Sequence, residues 1–205
     1  MESKKEKILH VAEKLFAEKG YKGVSVRDIT NVAKINVSAI SYYFNGKKGL
    51  YLSVFRELWL KRAKLQREYL KKRLKRHSSL DCETFVKEVI LSFLAGPISK
   101  YSKNHFALIQ REILEPTQAL QIVKKEATAP LLELLSFYIE KIFPKKFSMG
   151  QKRLYSITLI GIAIHFCLIK ESLFEFMPHE NQVEFISKNI TDLLTYGLMG
   201  IKDEK

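Results

Sequence analysis

Cysteine is scarce in this sequence. Cys82 and Cys167 are the two cysteines among its 205 residues, and they lie far apart along the chain. Neither their number nor their spacing fits a disulfide framework or a zinc ribbon. A reducing compartment is the simplest setting for such a chain, so we expect a cytoplasmic protein that folds without disulfide bonds.

The short motifs that mark common enzymes are absent. The sequence contains no glycine-rich phosphate loop, no HExxH, no GxSxG and no CxxC. Its histidines show no spacing typical of metal ligands; they are His10, His77, His105, His165 and His179. We therefore predict that the chain is not an enzyme and needs no metal or other cofactor. A helical enzyme whose Ser, His and Asp come together from distant positions remains an open alternative.

Long uninterrupted apolar runs are absent as well. The longest, ITLIGIAIHFCLI, has 13 residues and includes His165, whereas a helix needs about 20 apolar residues to cross a bilayer. The N-terminus, MESKKEK, is polar and does not resemble a signal peptide. We predict no transmembrane helix. A basic peripheral membrane-binding protein that uses residues 56–76 stays open as an alternative.

Acidic residues are scarce in the first part of the chain. Residues 1–77 hold 20 Lys and Arg against 7 Asp and Glu, whereas residues 78–205 hold 15 of each kind. The whole formal net charge of +13 therefore lies in the N-terminal part. A basic segment joined to a neutral remainder is typical of a phosphate-binding module attached to a domain that has a different partner.

The apolar periodicity that is present is helical throughout. No hairpin signal or strict two-residue alternation occurs, so we predict an all-α fold. Gly20 is an expected helix end, and Pro130 is an expected kink or break inside a helix. The expected helices span about residues 3–19, 25–33, 37–44, 47–76, 80–94, 103–114, 117–143, 148–174 and 178–201.

Residues 25–48 predict two short helices joined by a tight turn. Ser25 followed by Asp28 is a capping pattern for the first helix, and Asn36 is placed to cap the second through its side-chain oxygen. The apolar positions expected to be buried are Val26, Ile29, Ala33, Val37, Ile40 and Phe44. We interpret this stretch as a helix-turn-helix that binds double-stranded DNA.

The second of these helices carries the residues expected to contact bases. Its side chains that are short enough for close approach in a major groove are Val37, Ser38, Ala39 and Ser41. Arg27, on the outer face of the preceding helix, is expected to contact a guanine or a phosphate. Its alternative is a surface ion pair with Asp28 or Glu13.

Two further residues are expected to hold DNA phosphates. Tyr42 must point outward if Ile40 and Phe44 are buried, and its hydroxyl is then free to bind a phosphate. Lys47 lies at the start of the next helix, where a lysine opposes the helix macrodipole but favours an approaching anion. Its unfavourable position therefore indicates an external phosphate.

The run GYKGVSVRDITNVAKINVSAISYYFNGKKGLY resembles the N-terminal domain of the TetR family of bacterial transcriptional regulators over roughly residues 5–55. Its NVSAISYYF segment and the later HFALIQREILEPTQAL resemble the CecR-type subgroup. The resemblance implies that Tyr43 joins Tyr42 in binding phosphate. Lys34 stands where the family usually has glycine and Thr30 where it has alanine, so Lys34 would strain the turn if its φ is positive.

The resemblance also implies an all-helical homodimer that regulates transcription. Residues 1–48 would form a three-helix DNA-binding domain, and residues 49–205 a ligand-binding and dimerisation domain, with helix 47–76 as the connector. A small hydrophobic or aromatic effector would lower the affinity for a roughly palindromic operator. A repressor is therefore the expected regulatory role.

Effector contacts are expected among large or polar residues on otherwise apolar helical faces. The candidates are Trp59, Phe93, Phe106, Gln110, Tyr138 and His165. An apolar cavity with a few polar groups uses such residues, although each of them also fits an ordinary core position. Arg111-Glu112 and Glu115-Pro116-Thr117 are expected instead to be structural, forming a cap and an ion pair between helices.

The last two helices are candidates for the dimer interface, because their apolar residues cover nearly all sides. The interface positions predicted from this pattern are Leu159, Gly161, Ala163, Phe166, Leu194 and Leu198. A core helix in a monomer would show the same pattern, so this alternative stays open.

Overall fold

The computed structural model describes residues 3–143, 146–176 and 181–199. Within these ranges all regular structure is helical, which confirms the all-α prediction. The α-helices are α1 (Lys4–Lys19), α2 (Val26–Ala33), α3 (Ser38–Phe44), α4 (Gly46–Ser53), α5 (Leu60–Leu74), α6 (Cys82–Ala95), α7 (Ser102–Leu114), α8 (Gln118–Val123), α9 (Ala129–Ile142), α10 (Met149–Phe176) and α11 (Gln182–Met199).

Two expected long helices contain π-helical segments. The expected helix 47–76 is helical from α4 to α5, with Val54–Trp59 forming a π-helical segment between them. The expected helix 117–143 consists of α8, the π-helical segment Lys124–Thr128 and α9. Pro130 is the second residue of α9 and directly follows the π-helical segment, so its missing N–H falls where the helical hydrogen-bond pattern changes. The helix does not break at Pro130; it changes from π-helical to α-helical geometry just before this residue.

The helices form two compact units, each made of two chain stretches. The first unit is Met1–Ala63 with Tyr101–Ala127, and the second is Lys64–Lys100 with Thr128–Lys205. The chain passes from the first unit to the second within α5. The predicted division after residue 48 separates proposed functions, and it is not where the compact units divide.

The first unit has a continuous apolar core. Helices α1 to α4, the π-helical segment after α4, α7 and α8 all contribute to it. Its fully buried members include Ile8, Phe16, Ile29, Ile40, Leu50, Phe55 and Leu108. Burial of apolar area at about 25 cal/mol per Å² is the main favourable term that holds α1 to α3, the three-helix head, in place.

Buried polar bonds fix the helices of the first unit relative to one another. Arg62 of α5 forms a buried bidentate ion pair with Glu13 of α1, with Nη2 3.0 Å from Oε2. Arg111 of α7 donates from Nε to the carbonyl of Ala17 at 2.8 Å and from Nη2 to the carbonyl of Glu18. These carbonyls end α1 and lack helical partners, so the expectation that Arg111 forms a structural cap is confirmed.

Glu112 is the most heavily bonded buried carboxylate of the first unit. Its oxygens accept from the Tyr51 hydroxyl at 2.6 Å and from the backbone N–H groups of Thr117 and Leu120, each at 3.0 Å. Burial, followed by the bond to Glu112, raises the pKa of Tyr51. Glu112 thereby joins α4, α7 and α8 through one side chain.

The second unit is built around α6, which packs against α10 and α11, while α10 also packs against α9. The buried face of α6 includes Phe85, Val86, Val89, Ile90 and Phe93. Gln66 of α5 donates to the carbonyl of Ser92 at 2.8 Å, and the Cys167 thiol donates to the carbonyl of Phe93 at 3.2 Å. Both cysteines are buried.

Helix α10 is apolar yet little buried within the single chain. Its segment Met149–Ile169 has a mean hydropathy of 1.5 and is 22% buried. By length and composition alone this segment could cross a membrane, a property that it shares with core helices of soluble proteins. Exposed apolar side chains of α10 and α11 include Leu154, Ile157, Leu193 and Tyr196.

Candidate nucleic-acid interface

The start of α2 is fixed by local hydrogen bonds. The Ser25 hydroxyl accepts from the N–H of Asp28 at 3.1 Å, and the Asp28 carboxylate accepts from the N–H of Ser25 at 2.7 Å. The backbone N–H and then the hydroxyl of Ser25 lower the pKa of Asp28. The predicted cap is therefore confirmed, and Arg27 lies exposed beside it in the first turn of α2.

The turn between α2 and α3 has a left-handed residue. Lys34 has φ 53° and ψ 55°, and its N–H and that of Ile35 bond to carbonyls at the end of α2. A lysine in this conformation is strained compared with a glycine, as expected. Asn36 accepts from the N–H of Ser38 at 3.1 Å through its side-chain oxygen, which confirms its capping role.

Helix α3 is anchored on one side and open on the other. Ile40 is fully buried and Phe44 is 5% exposed, whereas Ser38 and Ser41 are exposed and Ala39 is half-buried. Val37 was expected on the buried face, but it is 47% exposed. The reason is that α3 begins only at Ser38, so Val37 lies at the cap and no side of the helix covers it.

The two tyrosines of α3 differ in exposure. Tyr42 is 83% exposed and Tyr43 is 39% exposed, and their rings pack edge to face with centroids 4.9 Å apart. The prediction that Tyr42 points outward is confirmed. The ring contact restricts Tyr42, so its hydroxyl is held on the open side of α3 at reduced entropic cost.

The segment after α3 turns sharply into α4. Asn45 has φ 56° and Gly46 has φ 91°, as the Asn-Gly pair predicts. Lys47 follows in the first turn of α4 and is half-buried, with Nζ 4.5 Å from the centroid of the Tyr21 ring. Lys34 and Lys48 are exposed cations of the same segment that the predicted contact set does not include.

The residues predicted to contact DNA all lie in the segment 27–47, and most of their side chains are exposed. Arg27, Val37, Ser38, Ser41, Tyr42 and Tyr43 are exposed, while Ala39 and Lys47 are half-buried. Small side chains beside two tyrosines and several cations are the residue types that a major-groove helix uses for base-edge and phosphate contacts. Among the described residues, no cluster of His, Cys, Asp or Glu is placed to hold a metal ion.

The predicted effector residues are divided between the two compact units. Trp59, Phe106 and Gln110 belong to the first unit, and Phe93, Tyr138 and His165 belong to the second. The Trp, Phe and Tyr side chains of this set are buried, while Gln110 and His165 are exposed. Trp59 stacks on His105 with ring centroids 4.3 Å apart and donates to the His105 carbonyl at 2.8 Å, as a core residue does.

The predicted interface residues are divided between the interior and the surface. Leu159 and Ala163 are buried within the second unit, Phe166 and Leu194 are half-buried, and Gly161 is exposed. The side chain of Leu198 lies outside the described residues. The prediction did not include the exposed apolar residues Leu154, Ile157, Leu193 and Tyr196. A helix that is apolar on all sides gives no sequence signal for which side faces outward.

Comparison with known protein families gives two matches that together cover most of the chain. Residues 8–54 match the family of bacterial regulatory proteins of the tetR type, and residues 82–200 match the C-terminal domain of the HTH-type transcriptional dual regulator CecR. The second match alone covers more than half of the 205 residues.

Individual relatives agree with these matches. The "Probable HTH-type transcriptional regulator YttP" of Bacillus subtilis (strain 168) is 32% identical over 91% of this chain and 81% of its own length. A crystal structure of a mutant HlyIIR protein is 28% identical, with a TM-score of 0.61 and coverage of 90% of this chain and 94% of the other. A TetR-like transcriptional regulator from Rhodococcus sp. RHA1 is 19% identical and shares the fold, with a TM-score of 0.65 over 97% of each chain.

Proposed function

This chain belongs to the TetR family of bacterial transcriptional regulators, and we propose that it is a homodimeric repressor which a small hydrophobic effector releases from a palindromic operator. It is a DNA-binding regulator and not an enzyme. A cytoplasmic location fits a protein that acts on DNA. The observation that carries the proposal is the exposed face of α3, where short side chains lie beside outward-pointing Tyr42.

In the proposed complex, α3 enters the major groove. Ser38 and Ser41 offer hydroxyls that donate to or accept from base edges, and Ala39 offers a methyl contact. Arg27, Tyr42, Tyr43 and Lys47 hold phosphates and so fix the register of the head on the duplex. The 20 Lys and Arg of residues 1–77 attract the duplex at long range.

The dimer is supported by the exposed apolar side chains of α10 and α11 in the second unit. Leu154 and Ile157 of α10 are 59% and 53% exposed, and Leu193 and Tyr196 of α11 are 74% and 79% exposed. A Cβ added to Gly161 would meet no atom within 4 Å, so a partner helix is free to approach closely there. Two copies joined on this face would present two heads to half-sites about 34–36 Å apart, or a multiple of that distance.

An effector site in the second unit is supported by buried hydroxyls there. Ser136 of α9 and Ser187 and Thr191 of α11 are buried, and their hydroxyl oxygens have no hydrogen-bond partner among the described residues. Unpaired buried hydroxyls are unusual in proteins and are satisfied when a ligand supplies the partner. An apolar effector with one or two polar groups matches these surroundings.

The proposal is tested by DNA binding of single variants. In gel-shift titrations against genomic fragments, we expect Tyr42→Ala and Lys47→Ala each to weaken binding about 10-fold, and Lys47→Ala to reduce the salt slope by about one. Lys188→Ala, at an exposed site of α11, is the matched control and should bind as the wild type does. Unchanged affinity and salt slope in both head variants would show that the α3 face does not bind DNA.

A further inference from the structure

A cavity in the first unit takes no part in the proposed DNA and effector contacts. It has a volume of about 400 Å³ and lies between the end of α1, Tyr51 of α4 and the junction of α7 with α8. This volume is in the usual range for small-molecule sites, about 300–1,000 Å³. The lining residues that decide its chemistry are Tyr21, Lys22, Arg111, Leu114, Glu115 and Pro116.

The charge around this cavity is positive. Lys19, Lys22 and Arg111 line it together with one carboxylate, that of Glu115. Lys22 and Glu115 form an ion pair at 3.0 Å, but their side chains are 82% and 68% exposed. Such an exposed pair contributes little free energy, so Lys22 can turn to another anion at small cost.

The Nη1 atom of Arg111 lies against Gly20, at the wall of the cavity. Its Nε and Nη2 donate to the last carbonyls of α1, whereas Nη1 makes none of the hydrogen bonds found for this side chain. A Cβ at Gly20 would lie 3.2 Å from Nη1, and Gly20 has φ 74°, which favours glycine. Arg111 lines the cavity, and the two N–H groups of Nη1 are used by none of the hydrogen bonds found for Arg111.

The remaining wall of the cavity is apolar. Leu114 is 81% exposed although it is a leucine, and Pro116 beside it is exposed as well. The Tyr21 ring packs against Tyr51 with centroids 4.9 Å apart, which gives the cavity an ordered aromatic side. A flat apolar group seated against Leu114 and Pro116 would remove this surface from water, which is favourable.

We propose that this cavity binds a small amphiphilic anion, of the class of aromatic carboxylates. The carboxylate bonds to Arg111 Nη1 and to Lys22, which are charge-assisted contacts, and the ring packs on Leu114 and Pro116. The site belongs to the first unit alone and is separate from the effector site proposed in the second. It requires no DNA binding, so the two proposals stand or fall independently.

Isothermal titration calorimetry of the full chain with 2-naphthoate tests this site. Leu114→Asp removes the apolar wall and adds a repelling charge, so we expect affinity at least about 10-fold weaker than in the wild type. Ile113→Asp is the matched control, because Ile113 is the adjacent residue, is 65% exposed and does not line the cavity. It should bind 2-naphthoate as the wild type does.

The neutral amide 2-naphthamide separates charge recognition from apolar contact. We expect it to bind the wild type about 10-fold more weakly than 2-naphthoate, because it offers no anion to Arg111 and Lys22. Equal affinities of the two aspartate variants, equal affinities of acid and amide, or no heat from the wild type at about 5 mM 2-naphthoate would each overturn the site. Gel shifts with the same variants report on DNA binding separately.

Discussion

The two compact units differ in how they satisfy their buried polar groups. In the first, Glu112 of α7 accepts bonds from α4 and from the start of α8, and Glu13 is paired with Arg62. In the second, the hydroxyls of Ser136, Ser187 and Thr191 are buried without a partner among the described residues. A unit whose polar groups bond internally has one favoured geometry. We propose that a ligand or a second copy of the chain completes the second unit.

The largest expected effect comes from breaking the internal bonds of the first unit. Glu112→Ala leaves the Tyr51 hydroxyl and the amides of Thr117 and Leu120 without their acceptor, so we expect a loss of about 3 kcal/mol in the free energy of unfolding. Urea denaturation followed by circular dichroism measures it. Glu115→Ala, three residues further on and exposed, is the control and should change stability by less than about 0.5 kcal/mol. Equal effects would show that the Glu112 network adds nothing.

The next effect concerns the outer face of the second unit. Leu193→Asp places a charge on the exposed apolar face, and we expect dimer dissociation to become about 100-fold more favourable, or about 2.7 kcal/mol. Sedimentation equilibrium measures the dissociation constant. Lys188→Asp introduces the same acid on the same helix at an exposed polar position and should leave the dimer intact. A wild type that is monomeric at micromolar concentration would contradict the proposed interface.

One buried polar group of the first unit lacks an internal hydrogen bond. The Nδ1 atom of His105 has no hydrogen-bond partner among the described residues. Burial, together with the charge of Arg62, lowers the pKa of His105 from 6.5 to about 3. Between pH 6.5 and about pH 3 this histidine is therefore protonated in the unfolded chain but neutral in the folded chain. The free energy of unfolding falls as the pH decreases through this range.

His105→Phe tests this exception. The substitution keeps a ring against Trp59 but cannot bind a proton. Between pH 7 and pH 5 the wild type should lose about 2 kcal/mol more stability than the variant, from the linkage of one proton. Urea denaturation at several pH values, followed by the fluorescence of the one tryptophan, measures the two slopes. Parallel slopes would show that His105 does not resist protonation in the folded state.

The smallest expected effect lies in the turn of the head. Lys34→Gly relieves the left-handed conformation at φ 53°, so we expect a gain of about 0.5–1 kcal/mol in the free energy of unfolding. Asn45→Gly, at φ 56°, is the comparison, because asparagine already tolerates this conformation and the gain should be smaller. Thermal denaturation measures both. A less stable Lys34→Gly variant would mean that the lysine side chain compensates for its strain.

Much of the head was predictable because its key contacts are local. The Ser25 and Asp28 cap, the Asn36 cap and the Asn45-Gly46 turn each involve residues within three positions of one another. Tyr42 could be placed outside from the spacing of Ile40 and Phe44. The exposure of Val37 could not be predicted in this way. Helical spacing places Val37 on the buried face only if it belongs to the helix, and α3 begins one residue later.

The polar contacts between distant helices and the outer face of α10 could not be predicted from the sequence. Arg62 and Glu13 are 49 positions apart, and Arg111 lies 94 positions from Ala17, so no local pattern pairs them. In α10, apolar residues cover all sides, and only packing against α6 and α9 shows that Ala163 is inside while Ile157 is outside.

The sequence by itself determined the helical class, the positions of the turns, the basic N-terminal part and the outward tyrosine of the head. These depend on hydrogen bonds and side-chain spacing within one or two turns, which the order of residues specifies directly. Tertiary structure alone decided that Arg111 lies beside Gly20, that Glu112 joins three helices and which apolar side chains of α10 and α11 stay exposed. These depend on which distant helices pack together, because burial and pairing are properties of neighbours in space.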